Sequence, residues 1–240
     1  MSAPAPAPVS RGPTVIYLIR HGSTAFNEGS RFRGKSTVPL SDLGRRQAQS
    51  VADLLAAKPI AHVACSPLPR AVETANIIAA PHLAKQSPPV PAPADMYHPA
   101  APYVTIDDGY TSANYGPWEG HTTEEIAISD PQGYKMFREH IDQAQFDGET
   151  LDGLSQRFRA SLLRLVEQFP GQQVAVITHQ ICTRAVLCDL MGAPKSFYWQ
   201  LGQEPGCVNV IEYHDGKFSV KIMNWTPDMW DKVGVVSKAW

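Results

Sequence analysis

Nowhere in this 240-residue chain does an apolar run approach the ~18 residues that a membrane-crossing helix requires. The first eight residues, Met1-Ser2-Ala3-Pro4-Ala5-Pro6-Ala7-Pro8, have neither a basic n-region nor an apolar h-region, so a soluble, cytoplasmic protein is expected. Cysteine is scarce. Cys65, Cys182, Cys188 and Cys207 lie in or beside apolar segments without metal-ligand spacing, which argues against zinc and predicts free thiols in a reducing compartment. The chain also lacks a long basic run and carries a net charge of −2, which argues against nucleic acid or an anionic membrane as the main partner. Positive charge should therefore be local to a pocket, and the partner a small anion.

What is present points the same way. Arg20-His21-Gly22 stands directly behind the apolar run Val15-Ile16-Tyr17-Leu18-Ile19, so it lies where a buried strand ends, and the mouth of an α/β sheet is where ligands bind. A second run, Val174-Ala175-Val176-Ile177-Thr178, delivers His179 in the same way, and a third, Ile60 to Ala64, leads into Ser66-Pro67-Leu68-Pro69-Arg70. Two imidazoles and two guanidiniums thus share one rim. Groups that are or can become cationic repel one another unless a counter-charge joins them, and a phosphoryl group fits: Arg gives it two-point hydrogen bonds, and imidazole serves as neutral nucleophile or as donor near pH 7.

The Ala-Pro stretch 1–13 is expected to be a poorly ordered tail before one α/β domain spanning 14–240. Val51, Leu54 and Leu55 recur with helical spacing behind Ser41 or Asp42 as cap, and Ala71, Ala75 and Ile78 suggest a shorter second helix. The prolines between Pro81 and Pro102 argue against helix and central strand, so 81–112, like 121–147, is read as an excursion over the pocket. Leu151, Leu154, Phe158, Leu162, Leu165 and Phe169 form the cleanest helical stripe, and Ile181, Ala185, Cys188 and Met191 another. The apolar residues flanking Asp215-Gly216 predict a hairpin at the sheet edge. Strands alternating with helices imply a mostly parallel sheet with helices on both faces.

At several separated segments the sequence resembles the histidine phosphatases, the phosphoglycerate mutase-like superfamily. The matching segments are Arg20 to Asn27, Pro39-Leu40-Ser41-Asp42-Leu43-Gly44, Ser66 to Ala71, Tyr115-Gly116-Pro117-Trp118-Glu119-Gly120, Gly148-Glu149-Thr150, and Thr178-His179 with Arg184. The resemblance implies that His21 is the phosphorylated nucleophile, that Arg20 and Arg70 bind phosphoryl oxygens, that His179 completes the cage and that Asn27 adds a phosphate donor. It further implies a small phosphorylated substrate, hydrolysis through a phosphohistidine, and no metal or cofactor.

Departures from the family pattern bear on the chemistry. A glutamate is usual four residues before the glycine of the Tyr115–Gly120 segment, and that position is Ser112, which is no general acid at neutral pH. Three explanations stand: a substitute acid among Asp107, Asp108 and Glu119, a substrate whose leaving group departs easily, or a weak or lost activity. Gln180 replaces the glycine common after the second histidine, and Thr37 an aspartate. Arg33, with Arg31, is a candidate extension of the anionic rim; Arg184 is expected to brace the helix after His179, and Glu149 to orient a site group or cap a helix. The remaining histidines, with Tyr115 and Trp118, are read as structural or solvated. Alternatives to hydrolysis are mutase-type phosphoryl transfer, disfavoured because 81–102 supplies only Lys85, and a phospholigand-binding pseudoenzyme. A homo-oligomer is allowed.

Overall fold

The computed structural model describes residues 12–85, 95 and 97–227, so most of the expected tail lies outside the described residues. Strand β1 (Thr14–Arg20) is the first apolar run, buried along almost its whole length. After the single turn α1 (Ala25–Glu28), helix α2 (Asp42–Leu55) starts at Ser41, whose Oγ accepts a hydrogen bond from the amide of Gly44 and so satisfies one of the helix's unpaired donors. The run from Ile60 becomes β2 (Ile60–Cys65). Pro69, with φ already set for a helix and no amide needed there, opens α3 (Pro69–Leu83).

Between β3 (Val104–Ile106) and the next long helix lie α4 (Thr123–Ser129), α5 (Pro131–Glu139) and a hairpin of β4 (Gln145–Phe146) and β5 (Glu149–Thr150). The apolar stripe then gives α6 (Leu151–Gln168), which leads through Pro170-Gly171 into β6 (Gln173–Thr178) and α7 (Gln180–Leu190). Strands β7 (Val208–His214) and β8 (Lys217–Trp225) form the expected edge hairpin across Asp215-Gly216.

The main sheet runs β3-β2-β6-β1-β7-β8, with β1, β2, β3 and β6 parallel, β7 antiparallel to β1, and β8 antiparallel to β7. Alternation along β1 divides the core. Ile16 and Leu18 face a cluster with Phe158, Leu162 and Val186 from α6 and α7, whereas Tyr17 and Ile19 face Val51, Leu55, Val72 and Ile78 from α2 and α3. Helices therefore cover both faces, and the carboxyl ends of β1, β2 and β6 come together at one rim.

One expectation needs correction. Helix α3 does not stop at Pro81 but continues to Leu83, with His82 and Leu83 buried. A proline this close to the helix end removes one backbone hydrogen bond, and the packing of Leu83 into the core outweighs that loss. The described part of 81–112 does not cover the site: of it only Ser112 reaches the cavity, and Val104–Ile106 joins the sheet. From 121–147 the cavity is reached by Thr123, Phe137 and Arg138.

Candidate active site

At the rim, a cavity of about 560 Å³ is lined by Arg20, His21, Arg70, His179, Asn27, Arg33, Ser112 and Gln180, so all eight of these sequence-predicted residues meet in one place. His21 is held from both ends. Its backbone amide continues the sheet to Thr178 O (3.0 Å), and its Nδ1 lies 2.7 Å from Gly22 O. That second contact requires the proton on Nδ1, so the lone pair sits on Nε2, where Arg70 Nε donates to it at 3.2 Å.

Arg70 is 1% exposed and joins the two imidazoles. Its Nη2 donates to Gly34 O (2.6 Å) and approaches His179 Nδ1 (3.3 Å), while Nη1 donates to Ser36 O (2.8 Å). Because a guanidinium can only donate, the Arg70 contact makes Nδ1 of His179 the acceptor and leaves the proton on Nε2, the opposite tautomer to that of His21, and this Nε2 donates to Ser66 Oγ at 2.7 Å. The two rings stand 5.2 Å apart, tilted by 60°. Arg20 hydrogen-bonds through Nη1 to the carbonyl of Gln203, and its buried Nε has no hydrogen-bond partner among the described residues. Gln203 is fixed by a reciprocal amide pair with Asn209, 2.9 Å in each direction.

Burial and the neighbouring guanidiniums, Arg70 foremost, hold His21 and His179 well below the usual imidazole range, so both rings are neutral at pH 7. Burial, followed by the charge of Arg33, brings Arg20 and Arg70 down to about 9. The cage is short of negative charge, and an anion entering it relieves every one of these shifts.

The proposed substitute acids lie elsewhere. Glu119 accepts from the amides of Lys35 (2.8 Å) and Tyr115 (3.2 Å) and braces the 34–35 loop. Asp107 is taken by Arg164 and Ser161, and Asp108 lines a separate depression. None of the three lines the cavity; Glu204 is its one described carboxylate. Glu149 caps nothing, since Thr150 caps α6; instead it clamps Arg157, which fastens Gly109 O. Arg184 does brace its helix, donating to Leu201 O at 2.7 Å, and also lines the cavity. Tyr115 and Trp118 pack edge-on against Phe32 and Phe137. No motif marks Gln203, Glu204, Arg138 or Trp199, because each reaches the site through tertiary packing from a segment with no pattern of its own.

The sequence profile of the histidine phosphatase superfamily (branch 1) matches residues 16–89 and 98–226. The chain belongs to this superfamily. A bifunctional protein of Mycobacterium tuberculosis is 29% identical over 216 residues, covering 89% of this chain, which spans about half (54%) of that relative's length. Phosphoserine phosphatase 1 of Hydrogenobacter thermophilus is 26% identical over 212 residues, covering 88% of this chain and 92% of its own. Among solved structures, Bacillus stearothermophilus YhfR superposes with a TM-score of 0.73 at 26% identity, over 87% of this chain and 96% of that one. The histidine phosphatase fold here is thus phosphoglycerate mutase-like. Among its described residues no helix is long and apolar enough to cross a membrane.

Proposed function

We propose that this histidine phosphatase-superfamily chain hydrolyses phosphomonoesters of small metabolites through a phosphohistidine on His21. The observation that carries the reading is the pair of tautomers set by Gly22 O and the Arg70 guanidinium, which puts the Nε2 lone pair of His21 in a cavity shared with Arg20, Arg70 and His179. Nε2 attacks phosphorus and the ester P–O bond breaks, the leaving oxygen departing with the bond pair and taking a proton from water; a further water then attacks the phosphohistidine, loses a proton to solvent, and breaks the P–N bond to release inorganic phosphate and restore the Nε2 lone pair. Arg20 and Arg70 take up charge spread over the phosphoryl oxygens, and Asn27, whose Oδ1 already accepts from Thr24 N, offers its amide donor. No step requires a metal or cofactor.

With Ser112 at the usual acid position and Glu119, Asp107 and Asp108 engaged elsewhere, the arrangement favours a substrate whose leaving group needs little protonation. Hydrolysis of p-nitrophenyl phosphate by the whole chain, with and without a chelator and beside His21→Ala, is the test. We expect chelator-resistant turnover and a loss of at least ~10³-fold in a folded variant. A folded, phosphate-binding wild type with no turnover would instead favour the binding-module reading that Ser112 raises. Activity retained by His21→Ala removes His21 as nucleophile.

A further inference from the structure

The arginines of this chain divide into two populations. Away from the cavity they are matched with carboxylates: Arg45 with Glu73, Arg157 with Glu149, Arg159 with Asp189 and Arg164 with Asp107, leaving only Arg46 unpaired among the described ones. Lining the cavity are Arg20, Arg31, Arg33, Arg70, Arg138 and Arg184, and of these only Arg31 has an ion pair, with Glu125. A single phosphoryl dianion accounts for Arg20 and Arg70, with Arg33 beside them. It leaves the charge of Arg138 and of Arg184 without a counter-charge among the described residues, although Arg184 also braces its helix through Nε.

Those two share a support. The guanidinium carbon of Arg138 lies 4.5 Å from the centroid of the Trp199 indole and that of Arg184 5.6 Å from the same ring, with Arg184 also 5.3 Å from Tyr198. A guanidinium over a ring keeps N–H donors for a ligand; Arg184 gives its Nε to Leu201 O, and no described carboxylate pairs with either guanidinium. Phe137, next to Arg138 on α5, is buried against the same indole at 5.0 Å, so the arrangement is anchored in the core. Two like charges on one ring, facing a cavity with a single described carboxylate, form a binding site for a second negative group.

We propose that Arg138 and Arg184, carried on Trp199, bind a second anionic group, carboxylate or phosphate, of the substrate whose phosphomonoester sits at His21. The site rests on the phosphatase reading above and deepens it: the preferred substrates are doubly anionic phosphomonoesters. The basic residues missing from the 81–102 stretch are thus supplied by α5 and α7.

The experiment is a calorimetric titration of the His21→Ala protein, in which turnover cannot interfere, with two matched pairs of probes. These are glycerol 3-phosphate against 3-phosphoglycerate, and fructose 6-phosphate against fructose 1,6-bisphosphate. At least one doubly anionic member should bind ~10-fold or more tightly than its partner, and adding Arg138→Gln should erase that difference while leaving the singly anionic probes unchanged. Arg46→Gln, which removes the same charge away from the cavity, should leave the difference intact. No preference in either pair, or a preference that survives Arg138→Gln, overturns the subsite, and a melting-temperature change alone would assign Arg138 to packing. Wild-type hydrolysis of p-nitrophenyl phosphate is read in parallel: turnover without preference sinks the subsite only, and preference without turnover sinks the phosphatase reading only.

Discussion

At the scale of single residues, proton position decides what the site can do. The Arg70 fork fixes the proton of His179 on Nε2, and Ser66 Oγ accepts it and holds that edge of the ring. Losing that one hydrogen bond leaves the tautomer to Arg70 but frees the ring to turn, so Ser66→Ala should lower kcat by roughly 10-fold with little change in melting temperature. Steady-state kinetics beside a thermal melt checks this, and an unchanged kcat would leave Ser66 as packing. Ser112 lines the cavity at 3% exposure. Ser112→Glu should raise hydrolysis of alkyl phosphates ~10–10²-fold more than that of aryl phosphates, since only the former need a proton on departure. Equal gains for both classes would place the acid elsewhere. The cage residues were legible in the sequence because each is delivered by a strand end. Arg138 and Trp199 were not, because a guanidinium on an indole comes from two segments that neither periodicity nor a motif connects.

Secondary-structure elements place these groups by close approach. A Cβ on Gly22 would stand 2.3 Å from the carbonyl oxygen of Gly44, so the turn after His21 rests directly on the first turn of α2. Gly22→Ala must push that turn away, at a cost of about 1–3 kcal/mol, and should displace His21 enough to lower activity along with the melting temperature. A variant of wild-type stability and rate would refute the contact. The long stripes of α6 and α7 and the runs of β1, β2 and β6 could be read from spacing, since each buries one regular face. The 99–150 region could not. Its helices α4 and α5 have seven and nine residues, and its hairpin pairs two residues on each side, too short for a period to emerge. Pro81 misled for the opposite reason, because tertiary packing of Leu83 carries the helix through it.

For the molecule as a whole, the cage couples stability to pH and to ligand. His21 and His179 titrate well below the unfolded value of about 6.5, so the unfolded chain takes up protons first as acid is added. Stability is then full above about pH 6.5 and falls below it. Inorganic phosphate or vanadate raises both imidazoles and should flatten that fall, whereas the decline from His62, lowered to about 4 by burial against Phe169, should persist with ligand. Thermal melts at pH 5 and 7.5 with and without phosphate measure both; an identical acid loss in each condition contradicts the electrostatic account of the cage. Strand β1 has a further consequence, for it is hydrogen-bonded to β6 on one side and β7 on the other. The amides of Leu18 to Arg20 meet solvent only when central pairings of the sheet come apart, so the nucleophile should be anchored among the slowest-exchanging amides of the protein.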